Sequence, residues 1–213
     1  MNLRVLLLAF AAVVALGAGV WWSLQTPPRP AVAALWLQQP RALAAVELVD
    51  QRNQAFGMEQ LQGKWTLLFV GYTSCPDVCP TTMADLARLY PKLQSIQQGP
   101  QPLQIAMLSV DPQRDNLTRL SNYVRFFNDD FIALTGEHSQ LHPFTQSLGL
   151  VYALVDSPSG SEYLVDHSAD MVLINPQGQL EVIFRPQGEP GQVRTVSMAQ
   201  LEHELPLIIH FAS

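Results

Sequence analysis

Apolar side chains crowd the start of this chain without a break. Residues 5–22 carry no charge and are rich in Leu, Val and Ala, and a run of that length meets the roughly 18-residue requirement for a helix that crosses a bilayer. Beyond it the pattern changes to short apolar runs and helical periodicities. Residues 67–72 predict a buried strand and residues 103–110 a second. Residues 81–90 set Met83, Leu86 and Tyr90 on one helical face, with Pro80 at the first helical position and Pro91 as the stop. Residues 115–127 predict a helix with Leu117, Leu120 and Val124 inward, 131–134 a short strand, and 140–148 a helix in spite of Pro143. Two hairpins follow: 151–155 with 163–166 around Ser157-Pro158-Ser159-Gly160, and 171–175 with 180–184 around Pro176-Gln177-Gly178. Residues 196–210 close the pattern as a helix. The alternation predicts an α/β fold, a mixed sheet flanked by helices, because βαβ crossovers bury both faces of their strands.

The apolar run has a direction. Arg4 and the amino group precede it, so that end should stay cytoplasmic and the rest should be exported. The run exceeds the roughly 7 to 15 residues of a signal-peptide core, and it ends in Val20-Trp21-Trp22 rather than at small residues, although Ala15 to Gly19 offer a cleavage point. An uncleaved anchor over residues 1–24 is expected. No cysteine lies near it to carry a lipid, and no Arg- and Ser-rich leader marks mitochondrial import. A single-pass protein of a bacterial inner membrane, with its soluble part in the periplasm, is the simplest expectation. Residues 25–40, with Pro27, Pro28 and Pro30 among Gln and Ala, suit an extended tether, and residues 41–213 suit one domain.

Charge narrows the partners. With Arg4 and Arg29 set aside, ten basic residues face eighteen acidic ones, a formal charge of −8 on the domain of residues 41–213. No basic footprint for nucleic acid is present.

The chemistry concentrates in Gly71-Tyr72-Thr73-Ser74-Cys75-Pro76-Asp77-Val78-Cys79-Pro80, which holds both cysteines of the chain. A disulfide closing so short a loop removes little unfolded-state entropy, so the pair is there to act rather than to brace. Two thiolates on one metal ion stand about 4 Å apart, and residues four apart on a helix have Cβ atoms roughly 5 to 6 Å apart. That spacing suits a metal bite more easily than a bond. Cys75 precedes the predicted helix, however, so the loop can bend to close either, and a redox pair remains open. Cys79 at the helix start is expected to gain thiolate character there. Soft thiolates select Cu(I) and imidazole suits copper as well. Of the five histidines, His167 ends a predicted strand, whereas His138, His142, His203 and His210 sit on predicted helices or their ends and read as surface or capping residues.

Three motifs together carry a resemblance: residues 69–80, then Ser109-Val110-Asp111-Pro112-Gln113-Arg114-Asp115, then Tyr163-Leu164-Val165-Asp166-His167-Ser168. In this order they resemble the Sco/SenC family of copper chaperones for cytochrome c oxidase assembly, from about Val46 to the end of the chain. The resemblance implies a thioredoxin-like fold with an inserted hairpin, and copper held by Cys75, Cys79 and His167. The donor chemistry suits Cu(I), and because two thiolates and an imidazole match the equatorial ligands of blue-copper sites, Cu(II) is accommodated with an added weak ligand; the resemblance implies subunit II of the oxidase as the recipient. A periplasmic copper donor or thiol reductant is a further expected partner. The turn after His167 corresponds to the one that usually holds a cis-proline in thioredoxin-like folds; a histidine there argues for a metal ligand.

Two residues stand behind this set. Asp111, at a strand end, is expected either to reach toward the cysteine loop or simply to cap the turn of Pro112 to Arg114. Asp77 lies between the cysteines, where it can tune the thiols, face a docking partner or merely be solvated. Asp166 should face away from His167, and Met83 should be a core residue. Two other functions compete. A membrane-tethered thiol-disulfide reductase would use Cys75 and Cys79 for exchange and have no need of His167. A peroxide-reducing thiol enzyme of the peroxiredoxin kind would need a proline and a threonine where Leu68 and Tyr72 stand. Metallochaperone, rather than enzyme, is the expectation.

Overall fold

The computed structural model describes residues 2–25, 29–93, 96, 100–156, 163–188 and 194–212. The chain divides into a unit spanning Met1–Ala31 and a second spanning Val32–Ser213. The first contains helix α1 (Leu3–Gln25), of which Leu3–Trp22 has a mean hydropathy of 2.3 and is long and apolar enough to cross a membrane.

The second unit contains strands β1 (Leu35–Ala42), β2 (Leu48–Asp50), β3 (Ala55–Phe56) and β4 (Trp65–Gly71), helix α2 (Val78–Leu89), β5 (Leu103–Ser109), α3 (Leu117–Phe127) and β6 (Ile132–Thr135). Helix α4 (His138–Leu148), strands β7 (Tyr152–Asp156), β8 (Tyr163–His167), β9 (Met171–Ile174) and β10 (Gln179–Phe184), and helix α5 (Met198–Ala212) complete it. Among the described residues eight strands form one sheet in the order β1-β10-β9-β4-β5-β6-β2-β3. β4, β5 and β6 run parallel, and β9 lies antiparallel against β4. β7 and β8 form a separate two-stranded hairpin.

Strand β4 explains the layering. All seven of its residues are buried, and because a strand alternates its faces, Trp65, Leu67 and Phe69 enter one core while Leu68 and Val70 enter the other. The first core takes Met83 and Leu86 of α2, Leu120 and Val124 of α3, and Leu201, Leu205 and Ile208 of α5. The second takes Leu141, Phe144 and Leu148 of α4 together with Tyr152 and Val165 of the hairpin. Thus three helices cover one face, and α4 with the hairpin covers the other. This is the helix-flanked mixed sheet with an inserted hairpin that the sequence predicts. The hairpin turn around Ser157 to Gly160 lies outside the described residues.

Three local expectations are corrected. Helix α2 begins at Val78, with Asp77 as its N-cap, so Pro80 is its third residue rather than its first. A proline is tolerated there because the first-turn N–H groups have no intrahelical acceptor to lose. Leu117 begins α3 half-buried, and Leu120 and Val124 alone carry that helix's buried apolar face.

The third correction concerns residues 35–40, expected in the tether: they belong to β1, which pairs antiparallel with β10 at the sheet edge. Its register shifts between Trp36 and Arg41, the segment that contains Pro40. Proline is compatible with an edge strand and a bulge, where no ladder hydrogen bond is required of it. Two buried carboxylates secure this segment. Glu204 of α5 accepts the Ala33 and Ala34 N–H groups at 2.7 and 3.2 Å, and Glu181 of β10 accepts Trp36 Nε1–H at 2.8 Å. Helix α4 continues through Pro143 and stops at Gly149, whose φ of 76° is the left-handed conformation that glycine adopts without a Cβ penalty.

Candidate metal centre

The parallel strand β4 delivers its C-terminal end to a six-residue loop, and α2 leaves that loop one residue after Asp77. The loop is tied down at successive positions. The Thr73 N–H and hydroxyl donate to the two Asp115 carboxylate oxygens at 2.9 and 2.5 Å, and Ser109 Oγ donates to the same carboxylate at 2.6 Å. Arg119 Nη2 donates to Ser74 Oγ at 3.0 Å, and the Cys75 N–H donates to the Tyr72 carbonyl at 3.2 Å. Asp115 is only 1% exposed, and its carboxylate ties the loop to the end of β5.

Cys75 is half-buried on the loop and Cys79 is buried in the first turn of α2. Gly71 makes room for the second sulfur: a Cβ there would sit 3.0 Å from Cys79 Sγ and 3.5 Å from Met107. The third donor arrives from the hairpin. His167 is the last residue of β8, and its Nδ1 lies 3.0 Å from the Ser168 carbonyl oxygen. Since a carbonyl only accepts, Nδ1–H donates to it and Nε2 faces the thiols, 3.6 Å from Cys79 Sγ, where it donates to a Cys75 thiolate when protonated and offers a ligand lone pair when it is not. The three ligand atoms of Cys75, Cys79 and His167 lie within 4.8 Å of one another.

The separations fit one ion. Sulfurs at about 2.3 Å and a nitrogen at about 2.0 Å in a trigonal plane stand about 4 Å (S to S) and about 3.8 Å (S to N) apart, close to the spacing already present. Both cysteines are free thiols. Two thiolates and an imidazole form a donor set soft enough for Cu(I), and the Ser168 carbonyl supplies the outer hydrogen bond that orients a ligating histidine.

Protons are distributed unevenly over the pair. The Cys79 thiol hydrogen-bonds to Cys75, and that bond, with help from His167 and the N–H groups of Asp77 and Cys79, outweighs burial and holds the Cys75 thiol far below its ordinary range. The same bond, reinforced by burial, pushes Cys79 up. The expectation that the helix start favours a thiolate at Cys79 is therefore corrected. The Cys79 N–H points at Cys75 Sγ, 3.5 Å away, so the helix terminus serves the preceding cysteine. For His167, burial disfavours the charged form, but bonds to Cys75 and the Ser168 carbonyl overcome it, and the imidazole is raised.

The other expected residues take different places. Asp111 is 1% exposed; its carboxylate accepts from Arg114 Nε and from the Tyr163 hydroxyl, and its carbonyl accepts the Arg114 and Asp115 N–H groups. It caps its turn and joins the hairpin to β5, while the bond to the cysteine loop comes from Asp115, four residues on. Asp77 is exposed, lines the open groove with Cys75 and His167, and caps α2 through its carbonyl on the Thr81 N–H. Asp166 is exposed and Met83 is in the core, as expected. His203 and His210 are exposed on α5.

Sequence reasoning misses Asp115, Gly71 and a linked aromatic group. The Tyr72 ring meets the His167 ring edge to face at 6.0 Å, and the Arg114 guanidinium lies 5.7 Å from the Tyr72 ring and 4.1 Å from the Tyr163 ring. Arg114 Nη1 also donates to the Tyr163 carbonyl at 3.2 Å. Arg114 thereby bridges the cysteine loop and the strand that carries His167.

Comparison with known proteins places these features together. Residues 37–201 match the SCO1/SenC family. A Stutzerimonas stutzeri protein provisionally named copper-binding is 38% identical over 176 residues, 82% of this chain and 80% of that one. The structure of Arabidopsis thaliana ScoI with copper bound is similar with a TM-score of 0.67 and 26% identity, over 79% of this chain and 98% of that one. That of Bradyrhizobium japonicum ScoI with copper bound is similar with a TM-score of 0.61 and 28% identity, over 68% and 89%.

Proposed function

This chain belongs to the SCO1/SenC family, and from that premise we propose that it is a membrane-tethered copper metallochaperone that binds copper through Cys75, Cys79 and His167. The observation that carries the proposal is the convergence of two thiol sulfurs and one imidazole nitrogen within 4.8 Å at the mouth of an open groove. A three-donor site at a surface holds its ion while leaving one side open to an incoming ligand, unlike a closed four-ligand zinc site. Copper is cargo here. Cys79, buried under α2, anchors it; Cys75 and His167 line the groove through which a recipient's ligands enter.

The chaperone works in the supply of copper to cytochrome c oxidase, with subunit II as recipient and a periplasmic donor upstream. Helix α1 anchors it in a bacterial inner membrane as a single pass, with the Arg4 end cytoplasmic and the cysteine domain in the periplasm. Residues 1–24 act as the anchor and the segment up to β1 as the tether. Cu(I) is the resting cargo, since two of three donors are thiolates. Cu(II) is accepted with an added weak ligand, as the equatorial set is that of blue-copper sites.

A second reading is a periplasmic thiol-disulfide reductase. A half-buried Cys75 on the loop, followed one helical turn later by a buried Cys79, matches the placement of an attacking and a resolving thiol. In that cycle the Cys75 thiolate attacks a partner disulfide, one partner sulfur leaves as a thiolate, and Cys79 then displaces the other as the Cys75–Cys79 disulfide forms. The two readings part at His167. Cu(I) titration of the full chain in detergent should give one ion per protein. Cys75→Ser and Cys79→Ser should each abolish tight binding, and His167→Ala should weaken it by more than the roughly 10- to 100-fold that loss of an outer-shell partner costs. Cells limited for copper and carrying only His167→Ala should assemble less oxidase and recover when copper is supplied. Normal assembly in that mutant would favour the reductase.

A further inference from the structure

Helix α4 carries a histidine pair that the cysteine site does not use. His138 and His142 are four residues apart, so they lie on one helical face. Their rings are 5.9 Å apart between centroids and inclined by 33°. Tyr152 of β7 organises both. Its hydroxyl is 2.8 Å from His138 Nδ1, and its ring stacks on the His142 imidazole at 4.4 Å with an interplanar angle of only 7°. His142 is exposed, whereas His138 Nε2 is shielded from solvent and has no hydrogen-bond partner among the described residues.

This arrangement is costly unless something completes it. A buried polar atom left unpaired costs about 1 to 3 kcal/mol; in the tautomer in which Nδ1–H donates to the Tyr152 hydroxyl, the Nε2 lone pair is the one still to be satisfied. A bound cation satisfies it. The remaining features are those of a metal site: two imidazoles at helical spacing, one fixed in orientation by an outer hydroxyl and the other open to solvent. We propose that His138 and His142, with Tyr152 as their buttress, form a second metal site that takes Cu(II).

The donor set decides which ion. Imidazole nitrogens without a thiolate bind divalent first-row metals in the order that peaks at Cu(II), and they lack the softness that selects Cu(I). The histidine pair therefore favours Cu(II) and excludes Cu(I), whereas the cysteine site takes Cu(I) and, with an added ligand, Cu(II). They are also neighbours, because Tyr152 is the register partner of His167 across the β7–β8 hairpin, and directly opposed residues on a hairpin point to the same face. Tyr152, the residue that orients the histidine pair, thus stands directly opposite a ligand of the cysteine site. His203 and His210 on α5 do not take part.

The test uses the full-length chain in detergent with both cysteines replaced, Cys75→Ser and Cys79→Ser, so that no thiolate binds or reduces the probe. Copper(II) chloride is titrated at neutral pH and followed by electron paramagnetic resonance. One saturable, nitrogen-ligated Cu(II) per chain is expected. His142→Ala, a change at an exposed position, should abolish it, and Tyr152→Phe, which keeps the stacked ring but removes the hydroxyl, should weaken it roughly tenfold. His203→Ala should leave it unchanged. Absence of a saturable nitrogen-ligated signal, its persistence in His142→Ala, or its loss in His167→Ala instead would overturn the proposal. The cysteine reading stands or falls separately, because this background lacks both thiols.

Discussion

At the residue scale, the centre depends on which sulfur carries the negative charge. Cys75 is held below its ordinary range, so it is a thiolate at pH values where a free cysteine, with a pKa of about 8.5, is protonated. Its alkylation by iodoacetamide should therefore be fast and nearly independent of pH between 6 and 8, whereas an ordinary thiol gains about tenfold per pH unit below its pKa. Cys79, pushed up and 1% exposed, should remain unlabelled until the protein is denatured. Mass spectrometry of labelled peptides checks both; equal labelling at pH 6 would contradict the assignment. The two cysteines and His167 were legible because sequence motifs place them at strand and helix ends. Asp115, Gly71 and Arg114 were not, because each acts across elements far apart in the chain. Asp115 holds Thr73, Gly71 leaves space for a sulfur one turn into α2, and Arg114 reaches Tyr163.

At the scale of elements, the centre is a meeting of a parallel strand end, a helix start and a hairpin. The apolar run of β4 predicted the first, and helical periodicity predicted the second to within three residues. Strand β1 escaped prediction because its apolar residues Leu35, Trp36 and Leu37 are followed by Gln38, Gln39 and Pro40, which break the alternation that marks a strand. Its place is set by distant carboxylates instead. Trp36 Nε1–H donates to Glu181, which is 4% exposed and also accepts from Asn175 Nδ2 at 3.0 Å. Trp36→Phe keeps most of the ring and removes that donor, which should cost about 1 to 3 kcal/mol. Urea unfolding of the full chain measures it; an unchanged midpoint would show that the bond does not secure β1.

At the scale of the molecule, an acidic domain follows a helix able to span a bilayer, and the chemistry lies in the domain. If α1 is an uncleaved anchor, the protein should stay with membranes washed in high salt, since an inserted helix does not depend on charge. Intact-mass analysis should find residues 1–24 retained. A mature chain beginning near Ala18 or later would make α1 a signal segment instead. The function proposed for the domain rests on one coordination sphere. X-ray absorption at the copper edge of the Cu(I)-loaded full chain tests it most directly. Two sulfur neighbours and one nitrogen neighbour are predicted, the nitrogen disappearing in His167→Ala; two sulfurs with no nitrogen in the unsubstituted protein would contradict the three-donor site.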